Sequence, residues 1–190
     1  MIDEIKIKIE KTATINVLGS IKNSNKIIIV LHGYGQLSKF FIRKFEPLIN
    51  IGYTIIAPEG FSKFYLKGNN GRVGASWMTK ENRIDEISDY VKFINSLNDE
   101  LNLSGKEVSL LGFSQGGATA QRCYNENKLI YKKLIICSST IIDDFEIDCI
   151  SLYIIGDNDK YIDLKEVRKL IPKEKLIIFK GEHILNIESI

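Results

Sequence analysis

Gly112-Phe113-Ser114-Gln115-Gly116-Gly117 follows a short apolar run, Val108 to Leu111, and precedes a helix-compatible run from Ala118 to Asn127. The bare pattern of a serine with glycines two positions to either side is weak, because both residues gather in ordinary turns. Its place between a buried strand and a helix gives it content. A strand-to-helix turn that tight forces the serine into a strained backbone conformation, and a Cβ two positions before or after it would clash. The hydroxyl then stands clear of the sheet, above a helix N-terminus whose dipole favours developing negative charge. The bland alternative is a glycine-rich turn without chemistry.

Outward from this turn, strands and helices alternate. Lys26 to Leu31 reads KIIIVL without alternation, a strand buried on both faces as in the middle of a parallel sheet. It ends in His32-Gly33-Tyr34-Gly35-Gln36, and a helix is predicted from about Ser38 with Phe40, Phe41, Phe45 and Leu48 on one side, Pro47 kinking or ending it and Gly52 stopping it. Further strands are predicted at Tyr53 to Ala57, Lys133 to Cys137, Ile150 to Ile155 and Lys175 to Phe179. Thr79 can cap a helix on which Ile84, Ile87, Val91, Ile94, Leu97 and Leu101 recur at helical steps, and another helix spans Leu164 to Leu170. The stretch from Phe61 to Thr79 carries Gly68, Gly71 and Gly74 without periodicity and reads as a long surface loop. At the N-terminus Ile5, Ile7 and Ile9 alternate with charged residues, a strand expected to form an antiparallel hairpin with Thr12 to Leu18. The expected fold is α/β: one domain over residues 1–190, a mostly parallel doubly wound sheet with that hairpin, and chemistry at the carboxyl ends of the strands.

Composition bounds the function. With 190 residues, 44% hydrophobic and 26% charged, the chain can bury a core, and a net charge of +2 gives no argument for nucleic acid. No run approaches the roughly 18 apolar residues of a membrane span, so no membrane insertion is expected. The acids near Met1 do not suit a signal peptide. Cys123, Cys137 and Cys149 lack metal spacing and are expected as buried free thiols, which together with the N-terminus suggests a cytoplasmic protein.

A serine needs a base within hydrogen-bond reach and usually a carboxylate to orient that base. The histidines are His32 and His183. In strand-turn-helix hydrolases the order is serine, acid, histidine, so His183, after the last strand, is the candidate base. His32 precedes the serine and suits a structural hydrogen bond in its loop. The acid belongs after the penultimate strand, in Gly156-Asp157-Asn158-Asp159, where Asp157 could cap the turn and Asp159 lies further out; both stay open on position alone. Asp163 suits a helix N-cap. An oxyanion needs preorganised N–H donors: the backbone of Gln115, after the serine, and that of Tyr34, in the loop after the first parallel strand.

The segments Leu31-His32-Gly33-Tyr34-Gly35, Gly112 to Gly117, Gly156-Asp157-Asn158-Asp159 and Gly181-Glu182-His183, in this order, resemble the phospholipase/carboxylesterase family of α/β-hydrolases, the group that includes acyl-protein thioesterases. The resemblance implies Ser114, Asp159 and His183 as a catalytic triad, with Tyr34 and Gln115 as oxyanion donors. It also implies a substrate wall at Gly74 to Met78, with Trp77 and Met78 against the acyl group; plain packing of Trp77 is the alternative. The segment from Ser138 to Asp148 is shorter than the family's usual loop, and Ile184 to Ile190 alone follow the histidine. No room is left for a cap domain, and an open site is expected.

The expected function is therefore a carboxylesterase-type serine hydrolase acting on small or medium acyl esters through an acyl-enzyme, with no cofactor and no metal. Its partner is a small-molecule ester or thioester, and the oligomeric state is left open. The rivals are an acyl-protein or acyl-carrier thioesterase and, from a different class, an inactive hydrolase-like binding module.

Overall fold

Nine strands carry the architecture of this computed structural model, which describes residues 2–127, 130–143 and 145–190. They are β1 (Ile15–Leu18), β2 (Lys26–Leu31), β3 (Tyr53–Pro58), β4 (Ser62–Tyr65), β5 (Val73–Ser76), β6 (Glu107–Phe113), β7 (Tyr131–Cys137), β8 (Ser151–Gly156) and β9 (Leu176–Phe179). Seven form one sheet in the order β1-β3-β2-β6-β7-β8-β9, with only β1 antiparallel to its neighbour, while β4 and β5 pair separately. Helices α1 (Ser38–Phe41), α2 (Glu46–Ile49), α3 (Arg83–Glu100), α4 (Gln115–Glu126) and α5 (Leu164–Leu170) connect them, and a 3₁₀ turn, Ile42–Phe45, joins α1 to α2. No inserted subdomain lies over the strand ends among the described residues.

The apolar central strands are buried on both faces, and alternate side chains feed two cores. Ile27, Ile29 and Leu31 of β2 pack with Tyr90, Ile94 and Leu97 of α3 and Ala120 and Cys123 of α4. Ile28 and Val30 point the other way, to Phe41, Ile42, Phe45 and Leu48. Leu185, Ile187 and Ile190, after the last strand, lie against this second face.

Several sequence expectations change. The N-terminal hairpin is absent: residues 2–10 form no strand and are exposed, while β1 pairs antiparallel with β3. Alternation describes a strand only where a sheet can cover its apolar face, and Ile5, Ile7 and Ile9 are left at least 80% exposed. The helix after Ser38 breaks into α1, the 3₁₀ turn and α2, with Phe40 exposed and Ile42 buried in its place. Thr79 does not cap α3. That helix begins at Arg83, and the Glu86 carboxylate accepts from the Thr79 N–H and from Ser62 Oγ, drawing the preceding chain onto its first turn. Ile84 is exposed. Phe61 to Thr79 is the β4–β5 hairpin rather than a structureless loop, with positive φ at Gly68 and Gly71 in its turn region and Ala75, Ser76 and Trp77 buried. Cys123 and Cys137 are buried, but Cys149, in the turn before β8, is exposed. No described helix is long and apolar enough to cross a membrane.

Candidate active site

The turn after β6 is held open by backbone contacts that only glycine allows. Ser114 has φ 54° and ψ −119°, a region that costs a non-glycine residue about 1–3 kcal/mol and persists only where the surroundings over-determine it. A Cβ on Gly112 would lie 2.1 Å from Gly116 O, and one on Gly116 would lie 2.1 Å from Leu31 O, so both must lack one for α4 to pack against the ends of β6 and β2. The Ser114 N–H donates to Cys137 O at 2.9 Å, which ties the turn to β7.

Ser114 Oγ lies 2.9 Å from His183 Nε2, and His183 Nδ1 lies 2.8 Å from Asp159 Oδ2. The Asp159 side chain is fully buried and His183 is 20% exposed. With Nδ1–H donating to the carboxylate, Nε2 is free to accept the Ser114 hydroxyl proton. Asp159 Oδ1 also accepts from the Tyr161 N–H at 2.9 Å, which fixes the carboxylate on a second side. Asp157 plays a different part. Its Oδ1 accepts from Gly181 N at 2.9 Å and its N–H donates to Phe179 O, so it joins the exits of β8 and β9 and sets the loop that presents His183. Gly156 lets that loop approach, since a Cβ there would meet Gly181 O and Glu182 O at 2.4 Å.

Tyr34, in the loop after β2, lines the same cleft as Ser114 and His183. Gly33 N donates to Gln36 Oε1 at 2.8 Å and Gly35 N to Ala75 O at 2.9 Å. Among the described residues the N–H groups of Tyr34 and Gln115 have no protein acceptor, and Gln115 stands at the first position of α4, where a helix leaves its N–H groups unpaired. His32 is buried: Gly60 N donates to its Nε2 at 3.0 Å and its Nδ1 faces Gly33 O at 2.8 Å, an arrangement of the neutral Nδ1–H tautomer. Burial lowers its pKa accordingly.

A cleft of about 520 Å³ opens over Ser114 and His183, between Tyr34, Gln36 and Lys44 on one side and Tyr161, Ile184 and Leu185 on the other. Tyr34 and Tyr161 are exposed on its rim, and the Tyr161 ring meets His183 edge-on at 4.8 Å.

Trp77 and Met78 do not line this cleft, which corrects the expected substrate wall. Trp77 is 2% exposed, stacks on His32 at 4.9 Å and donates Nε1–H to His32 O at 2.8 Å. Met78 packs at the edge of the core, and its sulfur faces Arg83. The indole needs a buried partner for its N–H, and the His32 carbonyl supplies it. Sequence reading also missed the Gln115 side chain, whose Nε2 donates to Met78 O at 2.9 Å and whose Oε1 accepts from Trp77 N at 3.1 Å. No periodicity could announce that tether, because it is a polar contact across 37 and 38 residues of chain. Among the described residues no cluster of His, Cys, Asp or Glu could hold a metal ion.

Comparisons with known proteins bear on the family and the fold. The family described as "Serine hydrolase (FSH1)" matches residues 21–186. No curated protein matches the chain in sequence. Among solved structures it is similar to esterase PE8, at 19% identity and TM-score 0.72 over 94% of each chain. It is also similar to a carboxylesterase from Mesorhizobium loti, at 15% identity and TM-score 0.64 over 93% of this chain and 90% of that one. A phospholipase/carboxylesterase from Dyadobacter fermentans matches at 16% identity and TM-score 0.59, over 94% and 92%. At such identities these likenesses carry the α/β-hydrolase fold. The resemblance seen in the motifs is of a piece with them.

Proposed function

Because the chain belongs to the serine hydrolase (FSH1) family, we propose that Ser114, His183 and Asp159 hydrolyse carboxylic esters of small or medium acyl chains through an acyl-enzyme. The observation that carries this reading is the continuous relay from Ser114 Oγ to His183 Nε2 at 2.9 Å and from His183 Nδ1 to Asp159 Oδ2 at 2.8 Å.

In this mechanism Ser114 Oγ attacks the ester carbonyl while its proton passes to His183 Nε2. The carbonyl oxygen, now negative, accepts from the N–H groups of Tyr34 and Gln115; removal of one such donor typically costs about 3 to 4 kcal/mol of transition-state stabilisation. Asp159 holds the imidazole in the productive tautomer and stabilises the imidazolium. Collapse expels the alkoxide, which takes the proton from Nε2 and leaves Ser114 acylated. Water, deprotonated by His183, then attacks the acyl carbonyl and restores the serine. Each bond made or broken is between the chain, the ester and water, so this sequence of steps uses no cofactor. A cytoplasmic setting suits the free thiols, and we take residues 1–190 as one catalytic domain.

The test is hydrolysis of p-nitrophenyl esters from acetate to decanoate, with Ser114→Ala beside the wild type and matched thioesters in parallel. Turnover that disappears in the variant supports the reading, and faster thioester cleavage would move the substrate class to acyl thioesters. Equal inertness of both proteins toward every substrate would overturn it.

A further inference from the structure

A second groove of about 550 Å³ lies beside the Ser114 cleft, and the two share Gln36 and Lys44 in their linings. Its walls are apolar where Phe40, Phe41 and Val73 form them, and its charged side chains are Lys39, Lys44 and Arg72. These cations come from separate parts of the chain: Lys39 and Lys44 from α1 and the 3₁₀ turn after it, Arg72 from the residue before β5. Neither cleft is lined by an acid outside the triad.

Some cations elsewhere are matched by nearby acids. Arg43 is paired with Glu46, Lys63 with Glu59, Lys169 with Glu166 and Lys6 with Asp85. Among the described residues Lys39, Lys44 and Arg72 take part in no ion pair, and Lys39 Nζ rests over the Phe40 ring at 5.0 Å. The whole chain carries 26 Lys and Arg against 24 Asp and Glu, so a groove lined by three cations and no acid is a local excess. Low-dielectric walls focus such a field, and lysine and arginine are the side chains that hold carboxylate and phosphate groups. A neutral acyl chain would use only the apolar walls, whereas an anionic end would use the walls and the charges together.

We propose that this groove receives the anionic end of the ester attacked at Ser114, so that the substrate carries a carboxylate or phosphate group joined to the scissile carbonyl by an apolar spacer. The spacer lies along Phe40, Phe41 and Val73. Lys44, where the two clefts meet, engages the anion of a shorter substrate, and Lys39 with Arg72 that of a longer one. The inference rests on the esterase reading of Ser114 and adds the substrate class.

The test compares p-nitrophenyl half-esters of adipic and suberic acid with p-nitrophenyl hexanoate and octanoate, together with the phosphonate-ended analogues, at low ionic strength. The readout is the ratio of kcat/KM for the anionic ester to that for its neutral partner. In Lys39→Gln, Lys44→Gln and Arg72→Gln the ratio falls about threefold for each charge removed, and at least tenfold in the triple variant. Added salt erodes the ratio in the wild type more than in the triple variant. A larger ratio for the carboxylate or for the phosphonate series identifies which anion the groove takes. A ratio unchanged by the triple substitution, in protein whose melting temperature is retained and whose neutral esters are still cleaved through Ser114, overturns the anionic class and leaves the esterase reading standing. Failure to cleave any ester, with Ser114 unreactive, overturns both.

Discussion

The turn at Ser114 and the β4–β5 hairpin lie side by side, joined through the Gln115 side chain, yet they are specified in different ways. The turn is dictated by sterics within a few residues: the glycines at 112 and 116 have backbone oxygens 2.1 Å from where a Cβ would stand, and Ser114 adopts φ 54°. The hairpin is dictated by what it touches. β5 and the Gly35-Gln36 stretch exchange backbone hydrogen bonds, Gly35 N to Ala75 O at 2.9 Å and Ala75 N to Gln36 O at 3.1 Å, and a Cβ on Gly74 would lie 2.5 Å from Gly35 O. Its Trp77 is buried against His32 and stays out of the Ser114 cleft. One region thus presents Ser114, and the other braces the loop after β2 and the start of α4.

Substitutions should separate these parts, beginning with the relay itself. Ser114→Ala or His183→Ala should lower kcat by about four orders of magnitude or more, and Asp159→Asn by about 10⁴, because the asparagine favours the wrong imidazole tautomer. Single-turnover kinetics with a p-nitrophenyl ester would measure this, and loss of less than about tenfold would break the assignment of Ser114. Next comes Gly116→Ala, which drives a methyl group into Leu31 O and should destabilise the fold by more than about 4 kcal/mol, read by denaturant unfolding. A well-folded Gly116→Ala protein would mean that sterics do not dictate the turn.

Trp77→Phe sharpens the contrast from the other side. It removes the indole donor from His32 O and leaves a buried carbonyl unpaired, which should cost about 1–3 kcal/mol of stability with the acyl-length preference unchanged. A changed preference with full stability would return Trp77 to the substrate wall. The smallest effect concerns His32. Burial lowers its pKa below the ordinary 6.5, so the unfolded chain binds a proton that the fold refuses. Stability should therefore be fully present above about pH 6.5 and decline as pH falls from there toward the folded value. The slope of unfolding free energy against pH in this window should be shallower in His32→Gln, and an unchanged slope would contradict a neutral, buried His32.

The same contrast explains what the sequence made legible. The buried strands announced themselves by unbroken β-branched runs, as in Lys26 to Leu31, and the strand-to-helix turn by glycines that a tight backbone requires, so the fold and the meeting of Ser114 with His183 could be anticipated. Asp159 and Asp157 could not be separated by position alone, since both follow β8; their hydrogen bonds distinguish them, one holding His183 and the other Gly181. Ile5 to Ile9 misled because alternation records a potential face without saying whether a sheet will cover it. Trp77 misled because a large aromatic near a site can serve as wall or as brace, and the difference lies in one hydrogen bond to a residue 45 positions away. The unpaired N–H of Gln115 follows from its place at a helix start, but its side chain's tether could not be read, since a polar side chain's long-range partner leaves no periodic trace.

Reaction with a fluorophosphonate, followed by intact mass and peptide mapping, tests the central claim most directly. The account predicts one adduct, on Ser114, formed quickly in the wild type and slowed by several orders of magnitude in His183→Ala. An unlabelled Ser114, or labelling that proceeds equally well without His183, would contradict it.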